Sequence, residues 1–143
     1  MYRVVLDPGV LIAALISARG APRALLAAWM DGAFELVVSP KVFAELARVL
    51  KLPKVRPYVR DLEARAFIAL LERFATLCPD AASSPRASRG RNYLLTLARS
   101  QAADYLISAD VHLRRLRNAQ LPILTPKEFL FRLRKKNQRF LPS

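Results

Sequence analysis

The spacing of apolar positions changes period several times along the chain. Arg3-Val4-Val5-Leu6 is a short β-branched run stopped by Asp7-Pro8-Gly9, which reads as a buried strand with a sharp exit. Helix is expected from Val10 to Ile16, and again beyond Pro22, where Leu25, Leu26 and Trp29 form a stripe ended by Gly32. Glu35-Leu36-Val37-Val38 is a second strand. Ser39-Pro40 then sets an N-cap before a proline in the first helical turn, and the helix beyond carries Val42, Phe43, Leu46, Val49 and Leu50 on one face. Asp61 caps a longer helix holding Phe67, Leu70, Leu71 and Phe74, and Leu77-Cys78 reads as a short strand. Helix resumes near Asn92, Tyr105-Leu106-Ile107 is a strand, Val111–Leu116 a short helix and Ile123-Leu124 the last strand. Thr125-Pro126-Lys127-Glu128 combines a capping box with a proline at the first helical position and opens a final helix.

Strands alternate with helices throughout, so the expected fold is α/β with a mainly parallel sheet covered on both faces. There is no internal repeat, and residues 1–143 read as one domain with a flexible Ser/Ala/Pro/Arg loop at 79–90 and a basic tail at 134–143. In such sheets ligands bind at the carboxyl ends of the strands. Two acids stand there, Asp7 after the first strand and Asp110 after Tyr105-Leu106-Ile107. Glu45 lies on the edge of its helix's apolar stripe, where it either snorkels to solvent or joins a polar site. Taken singly, Asp7 is also a plausible turn residue and Asp110 a plain helix N-cap. Taken together, three carboxylates converging at about 4 Å would repel by roughly 4 kcal/mol per pair. A hard divalent cation removes that cost, and once bound it orients and acidifies water beside a phosphate.

Composition narrows the partner. The chain has 24 Lys+Arg against 11 Asp+Glu, a formal net charge of +13, and 13 of those cations against 3 acids fall in residues 86–143. Such a field attracts polyanions in a salt-dependent way, which makes a nucleic acid the expected partner. A solvated basic face or an acidic protein partner is the plainer reading of the same charge. The single cysteine, Cys78, excludes an internal disulfide and a cysteine-based zinc site. The longest apolar run, Val10–Ile16, is too short to span a bilayer and makes a poor signal peptide, so a cytoplasmic location is expected. No phosphate loop or dinucleotide fingerprint occurs. The lone His112 has no serine or cysteine partner suggesting a triad, and Tyr93 and Phe129 read as core aromatics or base-stacking platforms.

Val4-Val5-Leu6-Asp7, then Ser39-Pro40 followed by Glu45, then Ala103-Asp104-Tyr105-Leu106-Ile107-Ser108-Ala109-Asp110, and finally Ile123-Leu124-Thr125-Pro126-Lys127-Glu128-Phe129 resemble the PIN domain. The nearest branch is the toxin component of bacterial toxin–antitoxin systems. The resemblance implies a three-layer α/β/α fold, a Mg²⁺- or Mn²⁺-dependent endoribonuclease, a homodimer and an antitoxin protein partner. It maps Asp7, Glu45 and Asp110 onto metal-binding, catalytic positions. Arg89, Arg91, Arg114 and Arg115 become candidate RNA contacts. Two departures stand out. The family follows its first aspartate with a small polar residue and asparagine, where this chain has Pro8 and Gly9. Its remaining aspartate should fall at Arg91 or Asn92. Asparagine is a weaker ligand for a hard cation, whereas arginine would put a guanidinium among the acids in place of the metal's charge. The resemblance therefore leaves two functions open: a ribonuclease with a degraded metal site, or a catalytically inactive PIN-like module that binds RNA or an antitoxin-type protein. A phosphoacceptor receiver domain fits poorly, because Asp7 has no acidic neighbour.

Overall fold

The computed structural model describes residues 1–81, 90–117 and 120–140. In chain order the elements are β1 (Arg3–Leu6), α1 (Pro8–Ile16), α2 (Ala21–Met30), β2 (Glu35–Val38), α3 (Pro40–Leu50), α4 (Asp61–Phe74) and β3 (Thr76–Leu77). They are followed by α5 (Tyr93–Ser100), β4 (Tyr105–Ile107), α6 (Val111–Arg114), β5 (Ile123–Leu124) and α7 (Pro126–Phe140). The five strands lie side by side in the order β3-β2-β1-β4-β5, and every pairing is parallel. This is the α/β architecture expected from the alternating pattern.

The sheet is apolar on both faces: Val4, Val5, Leu36, Val37, Leu106, Ile107 and Ile123 are all buried. Helices α1, α2, α3 and α7 pack against one another, and α5 packs directly on β1 and β4. The right-handed rule for parallel crossovers puts α5 on the opposite face. An aromatic cluster of Tyr2, Phe34, Tyr105 and Phe129 closes the amino end of the sheet.

From β1 the chain moves outward through β2 to β3, then returns to the other side of β1 to lay down β4 and β5. The order of strands therefore reverses between β1 and β4. Their carboxyl ends are tied together there, the Asp7 N–H donating to the Ile107 carbonyl at 2.9 Å. A crevice at such a reversal is where open α/β sheets bind ligands.

Element ends differ modestly from expectation. Helix α1 starts at Pro8, ahead of Val10, because the Asp7 side chain caps it and proline pre-sets the first turn. Strand β3 ends at Leu77, although the Cys78 N–H still donates to Val38 at 2.9 Å. Arg60 takes the N-cap position of α4, and Glu63 reaches back to its N–H at 3.3 Å. Helix α6 stops at Arg114, and Leu116 closes a tighter turn on Leu113. The segment from 134, expected as a tail, continues α7 as helix through Phe140. Residues 82–89, within the expected loop, lie outside the described residues. No single helix among the described residues is long and apolar enough to cross a membrane.

Candidate functional site

Asp7 is 1% exposed, so its carboxylate depends on partners within the protein. It has them on both oxygens. Oδ1 accepts from the Gly9 N–H at 2.9 Å, which caps α1. Oδ2 accepts from the Ser108 hydroxyl at 2.7 Å and from Arg91 Nη1 at 3.2 Å. Ser108 is itself fully buried, and its oxygen accepts the Asp110 N–H at 3.0 Å. One hydroxyl thus ties the ends of β1 and β4 to the start of α6.

Asp110 divides its two oxygens between jobs. Oδ1 accepts the His112 N–H at 2.8 Å and caps α6, while Oδ2 stands 3.6 Å from Arg91 Nη1. Glu45 does not snorkel away. Its side chain is 16% exposed, with Oε1 at 3.7 Å from Arg91 Nε, and the Tyr93 hydroxyl donates to Oε2. Burial, reinforced by that hydrogen bond and the Glu45 charge, holds the Tyr93 phenol well above its usual pKa, so it remains a donor to the carboxylate.

The three sequence-predicted acids therefore converge, and the group at their centre is a guanidinium. Arg91 reaches Asp7, Glu45 and Asp110 at once. It stands as the wall between two clefts. One, of ≈ 280 Å³, is lined by Asp7 and Asp110; the other, of ≈ 310 Å³, by Glu45, Lys54 and Tyr58. Gly9 gives the guanidinium its seat: a Cβ at that position would lie 3.7 Å from both terminal nitrogens of Arg91 and 3.5 Å from Asp7 Oδ1. Alanine would fit in ordinary contact, and anything longer would press on Arg91.

Carboxylates are suitable donors for Mg²⁺ or Mn²⁺. As arranged, however, these residues do not fit a divalent cation. Arg91 takes up the space and the donor atoms, and no group of three or more Asp, Glu, His or Cys side chains among the described residues comes together as a metal cage.

The comparisons agree with this architecture. The model of the PIN domain matches residues 3–112, most of the chain and the segment that carries all three acids. The chain belongs to the PIN domain family. The crystal structure of VapBC2 from Rickettsia felis, bound to a DNA fragment from the promoter, includes a chain with a similar fold. The TM-score is 0.56 with 15% identity, over 85% of this chain and 96% of that one. The sequence matches no curated protein. PIN domains generally depend on divalent metal, which makes the guanidinium at the centre of this one the feature to explain.

Of the positions singled out in the sequence, Gly9 and Arg91 lie close together: a Cβ on Gly9 would stand 3.7 Å from the guanidinium. Asn92 sits at the N-cap of α5, its carbonyl accepting the Leu95 N–H at 3.0 Å, and no hydrogen bond joins its side chain to the acids. Arg114 pairs with Glu128 at 3.7 Å, Arg115 is exposed, and Arg89 lies outside the described residues. Ser108 and the Glu45–Tyr93 contact escaped the sequence reading. A serine two residues before a strand-end aspartate was the available signal for the first. The second joins positions 48 residues apart and had none.

Proposed function

We propose that this PIN domain is a toxin–antitoxin-type protein, acting in the cytoplasm, that binds RNA without cutting it. The observation that carries this reading is Arg91 in simultaneous contact with Asp7, Glu45 and Asp110. A family site with four acids and one divalent cation has the same formal charge as three acids and one guanidinium. Exchanging the fourth acid for arginine thus preserves the electrostatic balance of the scaffold while removing the ion. What a guanidinium cannot do is coordinate and acidify a water molecule, so the chemistry that depends on the ion goes with it. Its donors are all protons, fixed in a planar fork suited to carboxylate or phosphate.

A nucleic acid is favoured as the bound polymer by the charge of the second part of the chain, 13 cations against 3 acids in residues 86–143, and RNA in particular by the family resemblance. Pairing with an antitoxin protein and homodimerisation belong to this reading through the family resemblance.

The test is an RNA cleavage assay with and without Mn²⁺, run on the wild type, Asp7→Asn and Arg91→Asp. The wild type is expected to bind RNA and leave it intact. Arg91→Asp is expected to take up Mn²⁺ at least tenfold more tightly by calorimetric titration. Mn²⁺-dependent cleavage by the wild type, abolished in Asp7→Asn, would overturn the proposal.

A further inference from the structure

Helix α7 leaves the site and carries a second, differently built surface with it. Pro126, its first residue, lines the cleft that holds Asp7 and Asp110. The helix then runs back along the sheet, and by Lys136 it has reached the Tyr2 ring at its amino end, the ammonium 4.1 Å from the centroid. Phe129 and Leu133 are buried on its inner face. Lys127, Phe131, Arg134 and Lys135 follow the i, i+4, i+7, i+8 spacing of a single stripe, and all four are exposed. That stripe spans about 12 Å of helix axis.

Three features set it apart from an ordinary solvated helix face. First, among the described residues no carboxylate lies within ion-pair distance of Lys127, Arg132, Arg134, Lys135 or Lys136; the one acid of the helix, Glu128, is drawn away to Arg114 and Thr125. Second, the helix dipole accounts for cations in the last turns but opposes Lys127 in the first. Third, Phe131 is 65% exposed in the middle of the stripe, with Lys135 5.8 Å from its ring centroid, although the core is already filled by Phe129 and Leu133. Arg132 is held beside the stripe, donating to the Tyr105 hydroxyl at 3.0 Å and lying 5.5 Å from that ring.

We infer that the outer face of α7 is a binding surface for single-stranded RNA, separate from the acid cluster: Lys127, Arg134 and Lys135 neutralise phosphates and Phe131 stacks a base. Unpaired cations interleaved with an exposed aromatic are the parts that a single strand needs, since its bases are free to stack. The inference rests on the RNA-binding reading above and adds where the polymer lies.

The experiment measures binding of a fluorescent single-stranded RNA over a series of salt concentrations. The wild type is compared with Lys127→Gln/Arg134→Gln/Lys135→Gln, with Phe131→Ala, and with a control of equal charge, Lys51→Gln/Arg56→Gln/Arg65→Gln, made at exposed positions elsewhere. Circular dichroism checks that each is folded. Removing three phosphate contacts is expected to weaken binding about tenfold or more near physiological salt and to flatten the log–log salt slope by about 2. Phe131→Ala is expected to weaken binding roughly fivefold or more with the slope unchanged. The control should stay within about twofold of wild type. If the α7 variant behaves like the control, the α7 surface is wrong while RNA binding stands. A wild type that binds no single-stranded RNA even at low salt overturns both, and a preference for duplex RNA overturns the single-strand assignment.

Discussion

Arg91 and Gly9 belong to the same neighbourhood of the acid cluster. Position 9 leaves the guanidinium room among the acids: a Cβ there would stand in ordinary contact, whereas a longer side chain would press on it. Gly9→Ala is expected to be neutral or to add up to about 1 kcal/mol, because a Cβ fits and alanine suits a helix better. Gly9→Asn is expected to displace Arg91 and lower the melting temperature; a melt unchanged from wild type would contradict the crowding at this position. Arg91→Met should cost about 2–3 kcal/mol, less than a fully buried pair because the guanidinium is 39% exposed. It should also gain what the wild type lacks, a melting temperature that rises with Mn²⁺, since three unbalanced carboxylates would then welcome a cation. The acids themselves were legible in the sequence, because carboxylates emerging from apolar strands demand compensation. The compensating group was legible only as a choice between Arg91 and Asn92, one residue apart on a helix start whose facing direction spacing alone does not fix. Ser108 left only a local signal, its place two residues before Asp110, because a buried hydroxyl leaves no pattern in hydropathy.

Among the elements, local chemistry and sequence agreed most closely at the start of α7. Thr125 Oγ1 accepts the Glu128 N–H at 3.1 Å and Glu128 returns to the Thr125 N–H at 3.1 Å, the reciprocal box read from Thr125-Pro126-Lys127-Glu128. The hydrogen bond from the Thr125 backbone holds the Glu128 carboxyl below its ordinary pKa of 4.5, with Arg114 adding to the effect. A lowered folded-state pKa stabilises fully above the ordinary value and fades as pH falls through the lowered one. Thermal melts should therefore show Glu128→Gln slightly less stable than wild type at pH 6, a small effect for so exposed a carboxylate, with the two curves converging as pH falls below the ordinary carboxylate range. A gap that persists into acid would assign the loss to packing instead. Helix boundaries were read less well where side chains rather than periodicity decide them. Asp7 pulled α1 back to Pro8, and the charged run after Leu133 continued as helix although it carries no apolar periodicity.

For the molecule as a whole, the alternation of strand and helix was enough to give a parallel sheet, but not the order of its strands, which depends on contacts far apart in sequence. The reversal between β1 and β4 is what makes Asp7 and Asp110 neighbours. Net charge works at this scale too. At +13 the folded chain repels itself, and salt shortens the reach of that repulsion to about 8 Å at physiological strength. Melting temperature is expected to rise as salt is raised from about 0.01 M toward that strength, while RNA affinity falls over the same range. A fold that weakens with added salt would mean that attractive pairs outweigh the crowding of cations.

The two outermost strands, Thr76–Leu77 and Ile123–Leu124, are each only two residues long. So short a border offers a neighbouring polypeptide almost no backbone to zip onto, and ribbon-like aggregation is blocked at both flanks. A pairing of two such molecules would find little backbone at these flanks and would rest on side chains instead, where one altered residue can break it.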